Sequence, residues 1–321
     1  MNNVNAASPG SIPAPTTART AVAWKYIIIM VISAFAGAWA GILGRLAQGE
    51  GVPTPYIIAF RQVVGLAILT PFVFTVYRDS LSHIRKRDLL FAAITGTWFA
   101  VHLLLGFGSL EFTSILVNGV MGGSTPIWIG LAEVFILHTV LSRQVWVGLF
   151  TSVVGGILIA VVSAGDSSLG SNPLLGIIMS LGSALTGAAY ALMGRSARKR
   201  MRLVPFMWLI FLFASIITVG LVLFMKIPLV GYSPASYGYM LLLVLLAQLF
   251  GHLSFNYVLR HVPATITSVI GQLGIVIAAV IAFFLFHEVP SPLELVGSAI
   301  IIVGITIVNL GKAPPEAAPT T

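Results

Sequence analysis

Ten uninterrupted apolar runs, each about 20 residues long, occupy most of this chain. They fall at 25–45, 54–77, 89–109, 113–138, 143–163, 174–194, 204–226, 236–258, 263–286 and 292–310. A run of that length spans the hydrocarbon core of a bilayer when coiled as a helix. No water is available there to the backbone N–H and C=O groups, so a spanning segment is either a helix or a strand of a closed barrel. Barrel strands are about 10 residues long and alternate in polarity; these runs do neither. Charged residues are only 8% of the chain, against about 25% in soluble domains. The expected fold is an all-α membrane protein with ten transmembrane helices, and no apolar stretch or polar domain is left over for a second fold.

The ten runs fall into two copies of five. Residues 27–47 align without gaps on 177–197 with nine identities, including Ser33/Ser183, Gly37/Gly187, Gly44/Gly194 and Arg45/Arg195. A second match, offset by one residue, pairs 138–155 with 287–304 and keeps His138/His287, Ser142/Ser291, Gly148/Gly297 and Gly155/Gly304. The expected domains are a first repeat over 25–163 and a second over 174–310. Segments 1–24 and 311–321 are rich in Ala, Pro, Ser and Thr, a composition that cannot bury a core; both are expected to be disordered cytoplasmic tails. Five is odd, so the second copy enters the membrane from the opposite face. The halves are then inverted repeats related by a pseudo-two-fold axis in the membrane plane. Exchanging their conformations would move access to a central cavity from one side to the other.

Charge gives the expected orientation. Fourteen of the 17 Lys and Arg residues fall on one side, notably Arg85, Lys86 and Arg87, then Arg198, Lys199, Arg200 and Arg202. The other side holds Arg45 and Lys226, and Arg61 lies inside the second run. The positive-inside rule places both termini in the cytoplasm of a multi-pass protein of the cell (inner or plasma) membrane. The net charge of +8 therefore reflects topology and contact with anionic lipid. A nucleic-acid partner is not expected, because the basic loops lack the interleaved aromatic side chains of such a surface.

Polar groups at membrane depth are costly and face protein or water. Arg61 and Glu133 are the candidate coupling residues, although each also has a structural alternative: backbone carbonyls or Glu111 for Arg61, His138 or Arg143 for Glu133. Run 8 carries Gln248, His252 and Asn256 four residues apart, about 40° apart around a helix and so on one stripe. Run 3 carries Trp98 and His102, run 4 Asn118 and Thr125 before Pro126, and run 9 Gln272. Such stripes suit a hydrated cavity or helix–helix hydrogen bonds. Trp39, Trp128 and Tyr190 lie deep enough to stack on an organic substrate or to fill the core. The small residues Ser33, Gly37 and Gly41 let helices approach closely.

No cysteine exists, so disulfides and thiolate metal sites are excluded. The sequence has no phosphate-binding Gly-rich loop, and His287-Glu288 lacks the second His of a zinc-protease motif, with Ser291 in its place. An enzyme is not expected, nor a cofactor or metal.

The combination of ILGRLAQGEGVP (42–53), AFRQ (59–62), VHLLLGFGSLEFTS (101–114), AQLFGHLSFNYVLRHVPATITS (247–268) and FHEVPSPLELVGSAIIIVGI (286–305) resembles the drug/metabolite transporter superfamily in its EamA-type branch. The family pattern ends helices 4 and 9 with Gly-Glu; here His287-Glu288 keeps the Glu and His138-Thr139 does not. The resemblance implies a ten-helix basket with helices 1, 3, 4, 6, 8 and 9 around the cavity. It also implies transport of a small organic metabolite, amino acid or drug, often outward, with protons as a candidate coupling ion. A channel-like facilitator and a non-transporting sensor or scaffold are the alternatives carried forward.

Overall fold

A computed structural model describes residues 24–135, 141–165, 171–198, 201–252, 254, 257 and 264–311. The described residues form helices α1 (Trp24–Gly49), α2 (Thr54–Thr75), α3 (Arg78–Ser82), α4 (Lys86–Ser109), α5 (Ile115–Gly122), α6 (Thr125–Phe135) and α7 (Arg143–Gly165) in the first half. The second half holds α8 (Pro173–Arg198), α9 (Leu203–Phe224), α10 (Pro234–Leu242) running into a π-helical stretch Leu243–His252, α11 (Ala264–Phe286) and α12 (Pro292–Gly311). Nine segments among the described residues are long and apolar enough to cross a membrane, and α11 is apolar over Leu273–Phe286. The protein is an all-helical, multi-pass membrane protein.

Two spans are irregular, one in each half, at positions that are not repeat counterparts. Span 4 is divided into α5 and α6 at Gly123-Ser124, where the Ser124 hydroxyl donates back to the Met121 carbonyl at 2.6 Å. Pro126 has no N–H to continue a regular ladder there. Span 8 changes from α to π winding at Leu243. One extra residue per turn is rare and is found mostly at functional sites. Elsewhere helix starts follow local chemistry. Ser114 and Ser233 accept from Val117 N and Ser236 N, and Ser291 and Glu294 cap each other reciprocally at the start of α12.

The packing has the symmetry that the duplication predicts. α7 pairs with α12, and α2 with α9, each helix against its own repeat partner. The remaining large pairings exchange with one another: α4 on α8 corresponds to the π stretch on α1, and α5–α6 on α8 to α11 on α1.

The α7–α12 seam shows the inversion directly. A Cβ on Gly148 would lie 2.6 Å from the Gly304 carbonyl oxygen, and one on Gly155 would lie 2.7 Å from that of Gly297. Position numbers rise along one helix as they fall along the other, so the partners are antiparallel. The contact 148–304 maps onto 297–155 under the repeat, which places the pseudo-two-fold between them. These four glycines therefore serve close backbone packing, worth many small dispersion contacts where lipid offers no hydrophobic drive. The largest core cluster joins α1, α2 and α4 of the first half to α9, α10 and the π stretch of the second, so the halves fold as one body.

Candidate functional site

Small residues make the space at the centre of the bundle. A cavity of about 360 Å³ lies between α1, α5, the π stretch and α11. Its α1 wall is Ser33, Ala34, Gly37, Ala38 and Gly41, facing Gly251 and Gly274 across the bundle. The Ser33 and Gly37 backbone comes within 3.5 Å of where a Gly251 Cβ would stand. The small-residue stripe of helix 1 thus has two consequences: it lets α1 meet span 8, and it leaves room for a solute.

Asn118 is the polar group of this wall with capacity to spare. Its Nδ2 donates to the Gly106 carbonyl at 2.9 Å, to Ser109 Oγ and, more distantly, to Ser180 Oγ at 3.4 Å. Its Oδ1 meets no donor among the described residues, which leaves an acceptor for a ligand.

Beside the cavity, His102 is packed on α8. Its Nδ1 lies 2.8 Å from the Ser183 carbonyl, so Nδ1–H donates and Nε2 is left as an acceptor. The Ser183 hydroxyl donates to the His102 carbonyl at 2.9 Å. Gly187 makes this possible, since a Cβ there would lie 3.0 Å from His102 Nδ1. In the repeat, His102 corresponds to Gly251, and Ser183 and Gly187 to Ser33 and Gly37. An imidazole fills one of these two interfaces between the halves, and at the equivalent one the backbones meet through Gly251 with no side chain between them.

The other predicted residues take varied places. Gln248 is buried and bonded to Arg61 across α2 and the π stretch, rather than open to the cavity. Tyr190 stacks on Phe99 with centroids 4.9 Å apart, and its hydroxyl is 3.9 Å from Met207 Sδ. Trp39 meets Phe35 edge-on at 6.4 Å and is half-buried, as is Trp128. Trp98 is 38% exposed and does not line the cavity. The Thr125 hydroxyl donates to the Gly122 carbonyl at 3.1 Å. Asn256 lies outside the described residues, as do the side chains of Glu133, His252 and Gln272. The structure therefore brings Asn118 and the α1 glycines to one cavity, while His102 packs on α8 and Arg61–Gln248 lie between α2 and the π stretch, outside its lining.

One arrangement was not foreseen from the sequence. Arg45, near the end of α1, forms an ion pair with Glu288 between α11 and α12. The same guanidinium donates to the carbonyls of Thr113 and, at 2.7 Å, of Leu110. Glu288 accepts in turn from the Ile115 N–H at 3.0 Å. Next to it, Gln48 Nε2 bridges Thr54 Oγ1 and the Phe107 carbonyl at 2.8 Å each, and Thr54 donates to Glu111. This layer ties α1 to the α4–α5 turn and to the α11–α12 turn, and it lines a cleft of about 520 Å³ at the Arg45 end. The available sequence signal was Arg45 with its repeat partner Arg195, together with the Glu of the His-Glu pair. At the equivalent place in the first copy stands Thr139, which carries no charge.

The architecture and its two repeats match a known family. The model of the EamA-like transporter family fits residues 24–161 and again 174–310. This chain belongs to the EamA-like transporter family. Among its relatives is the uncharacterized transporter YetK of Bacillus subtilis, 21% identical over 301 residues that cover 92% of this chain and 89% of YetK. Another is the pseudopaline exporter CntI of Pseudomonas aeruginosa, 22% identical over 286 residues, covering 89% of this chain and 96% of CntI. A solved crystal structure shares the fold with a TM-score of 0.60 at 14% identity, over 89% of this chain and 97% of that one. As a member of this family the chain is a membrane-embedded transporter of a small molecule, and its relatives are transporters rather than enzymes.

Proposed function

We propose that this EamA-like protein is a secondary transporter that exports a small organic metabolite across the cytoplasmic membrane by alternating access. The observation that carries the reading is a cavity lined by both repeats, whose Ile115 also bonds to the Arg45–Glu288 layer. The relative that exports pseudopaline supports the outward direction. The cavity volume of about 360 Å³ suits a solute of metabolite size, and pockets of this class hold small ligands.

The charge distribution supports a topology in which Trp24 starts in the cytoplasm and the Arg45 end faces outside. The cavity then communicates with the cytoplasm when the Arg45 layer is shut. Exchange of conformations between the inverted halves opens the other side. Glu133 is the proposed proton-sensitive carboxylate, and His252, Asn256 and Gln272 are proposed to take part in binding the substrate.

The test is flux in proteoliposomes. Purified protein should show saturable counterflow of at least one solute from a panel of amino acids, organic acids, nucleosides, sugars and cationic drugs. Asn118→Leu should reduce that flux at unchanged expression. Non-saturable flux would favour a channel, and no flux for any class would sink the transporter reading.

A further inference from the structure

Arg61 is the charged group of the bundle interior whose bonding capacity is least used. It is 5% exposed. Its Nε donates to Gln248 Oε1 at 2.5 Å, and Gln248 Nε2 donates back to the Arg61 carbonyl at 3.3 Å. Gln248 fits there because position 65 is glycine; a Cβ at that position would collide with Gln248 Nε2. The guanidinium carbon stands 5.5 Å from the Phe107 ring centroid. Among the described residues, Nη1 and Nη2 meet no acceptor and no carboxylate pairs with them.

The fold does not need a cation there. Under the repeat, Arg61 of α2 corresponds to Phe211 of α9, and Gln248 of span 8 to Phe99 of α4. Those two phenylalanines stack on each other, with centroids 6.1 Å apart and planes 26° from parallel. The same interhelical contact is thus made twice, once by two aromatic rings and once by an arginine held by an amide. Burying an incompletely paired cation costs several kcal/mol, and apolar replacement of buried ionic groups is often neutral or stabilising. The apolar solution is present in the same molecule. Packing therefore does not account for Arg61.

We propose that Arg61 is the anion-recognition residue of the transport cavity, and that the transported solute carries a carboxylate. Gln248 holds Nε and so orients the planar fork, leaving the Nη1/Nη2 edge to receive two carboxylate oxygens in parallel. Arginine is suited to this bidentate geometry, and lysine, a point charge, is not. Ala247, adjacent to Gln248, lines the cavity, so the subsite borders the small-residue wall against which the apolar body of the solute would lie. His102 is within electrostatic reach of Arg61 and offers its Nε2 acceptor to a hydroxyl or ammonium group. The substrate class is a small organic acid or zwitterion. The inference rests on the transporter reading for the word "transported", but not for the binding of the anion.

The experiment separates the two. Thermal stability of the purified full-length protein is measured against matched pairs: leucine and leucinamide, glutamate and glutamine diamide, 4-methylpentanoate and its amide, and benzoate and benzamide. At least one carboxylate should stabilise the wild type where its amide does not. Arg61→Gln should weaken that binding about 10- to 100-fold, as expected for loss of a charged bidentate contact of about 1.5–3 kcal/mol. Arg61→Lys, which keeps the charge, should still weaken it tenfold, and it serves as the readout if Arg61→Gln does not fold. Carboxylates acting no better than their amides, or an Arg61→Lys protein binding like wild type, would overturn the subsite. A carboxylate that binds through Arg61 but does not move in proteoliposomes would uphold the subsite and count against transport.

Discussion

Replacing Glu288 by Gln tests whether the Arg45 layer is a gate. Glu288 and Arg45 retain about a fifth of their side-chain exposure, 18% and 20% respectively, so the pair is screened less than a surface pair and more than a sealed one. Gln keeps an acceptor for the Ile115 N–H but removes the charge facing Arg45. The two carbonyls that Arg45 also contacts hold it partly in place. A fully buried pair broken on one side costs about 3–5 kcal/mol and an exposed one about 0–1 kcal/mol; this geometry argues for about 2 kcal/mol. If the contact exists only while the Arg45 end is shut, the whole amount enters the equilibrium between the two access states. At tenfold per 1.4 kcal/mol, the ratio shifts about 30-fold toward the open state.

Site-directed labelling can read this, because the native chain has no cysteine to give background. Gly37 lines the cavity and has nothing within 4 Å of an added Cβ, so Gly37→Cys places one thiol inside without a clash. A membrane-impermeant maleimide added to intact cells should label it slowly in the otherwise native protein. In the Glu288→Gln background, labelling should be at least tenfold faster. Equal rates at equal expression would refute the gate and leave the ion pair as a structural tie. The exchanged pair Arg45→Glu with Glu288→Arg should move the rate back toward native, since the attraction is restored.

Further outcomes follow from the same geometry. Gly304→Ala would push a Cβ to 2.6 Å from Ser152 N and 2.7 Å from the Gly148 carbonyl, both backbone atoms. It should destabilise the protein by about 1–3 kcal/mol, while Gly220→Ala, in open space, should not; equal melting of the two variants would contradict the seam. Gln62 is wholly buried, and among the described residues neither amide atom has a partner. Gln62→Leu should raise stability by about 1–3 kcal/mol, and a lower melting temperature would show that the amide is needed. Glu133→Gln should abolish the pH dependence of flux in proteoliposomes, and an unchanged pH profile would remove that carboxylate from coupling.

Membrane class, helix number and the inverted duplication are legible in the sequence because each rests on a local or additive property. Apolar length decides what spans, and chain identity between copies decides that there are two. The breaks in spans 4 and 8 are only half legible. Pro126 marks the first, but nothing in Leu243–His252 announces the π winding of this segment, which packs against α1 and α2. Single polar residues are ambiguous for a similar reason. Gln248, on its helical stripe, could face a cavity or a neighbour, and the space for it beside Arg61, 187 positions away in the chain, is left by the missing side chain at Gly65.

What the sequence determined alone is therefore the membrane, the ten helices and the repeated architecture, all consequences of backbone hydrogen bonding in lipid. Only the tertiary structure decided which partner each polar group takes. Equivalent crossings between the halves hold Arg61–Gln248 in one case and Phe211–Phe99 in the other, and Arg45 finds Glu288, whose counterpart in the first copy is Thr139. The physical reason is that duplication fixes where helices cross, whereas the charge and hydrogen bonds at a crossing depend on side chains far apart in sequence.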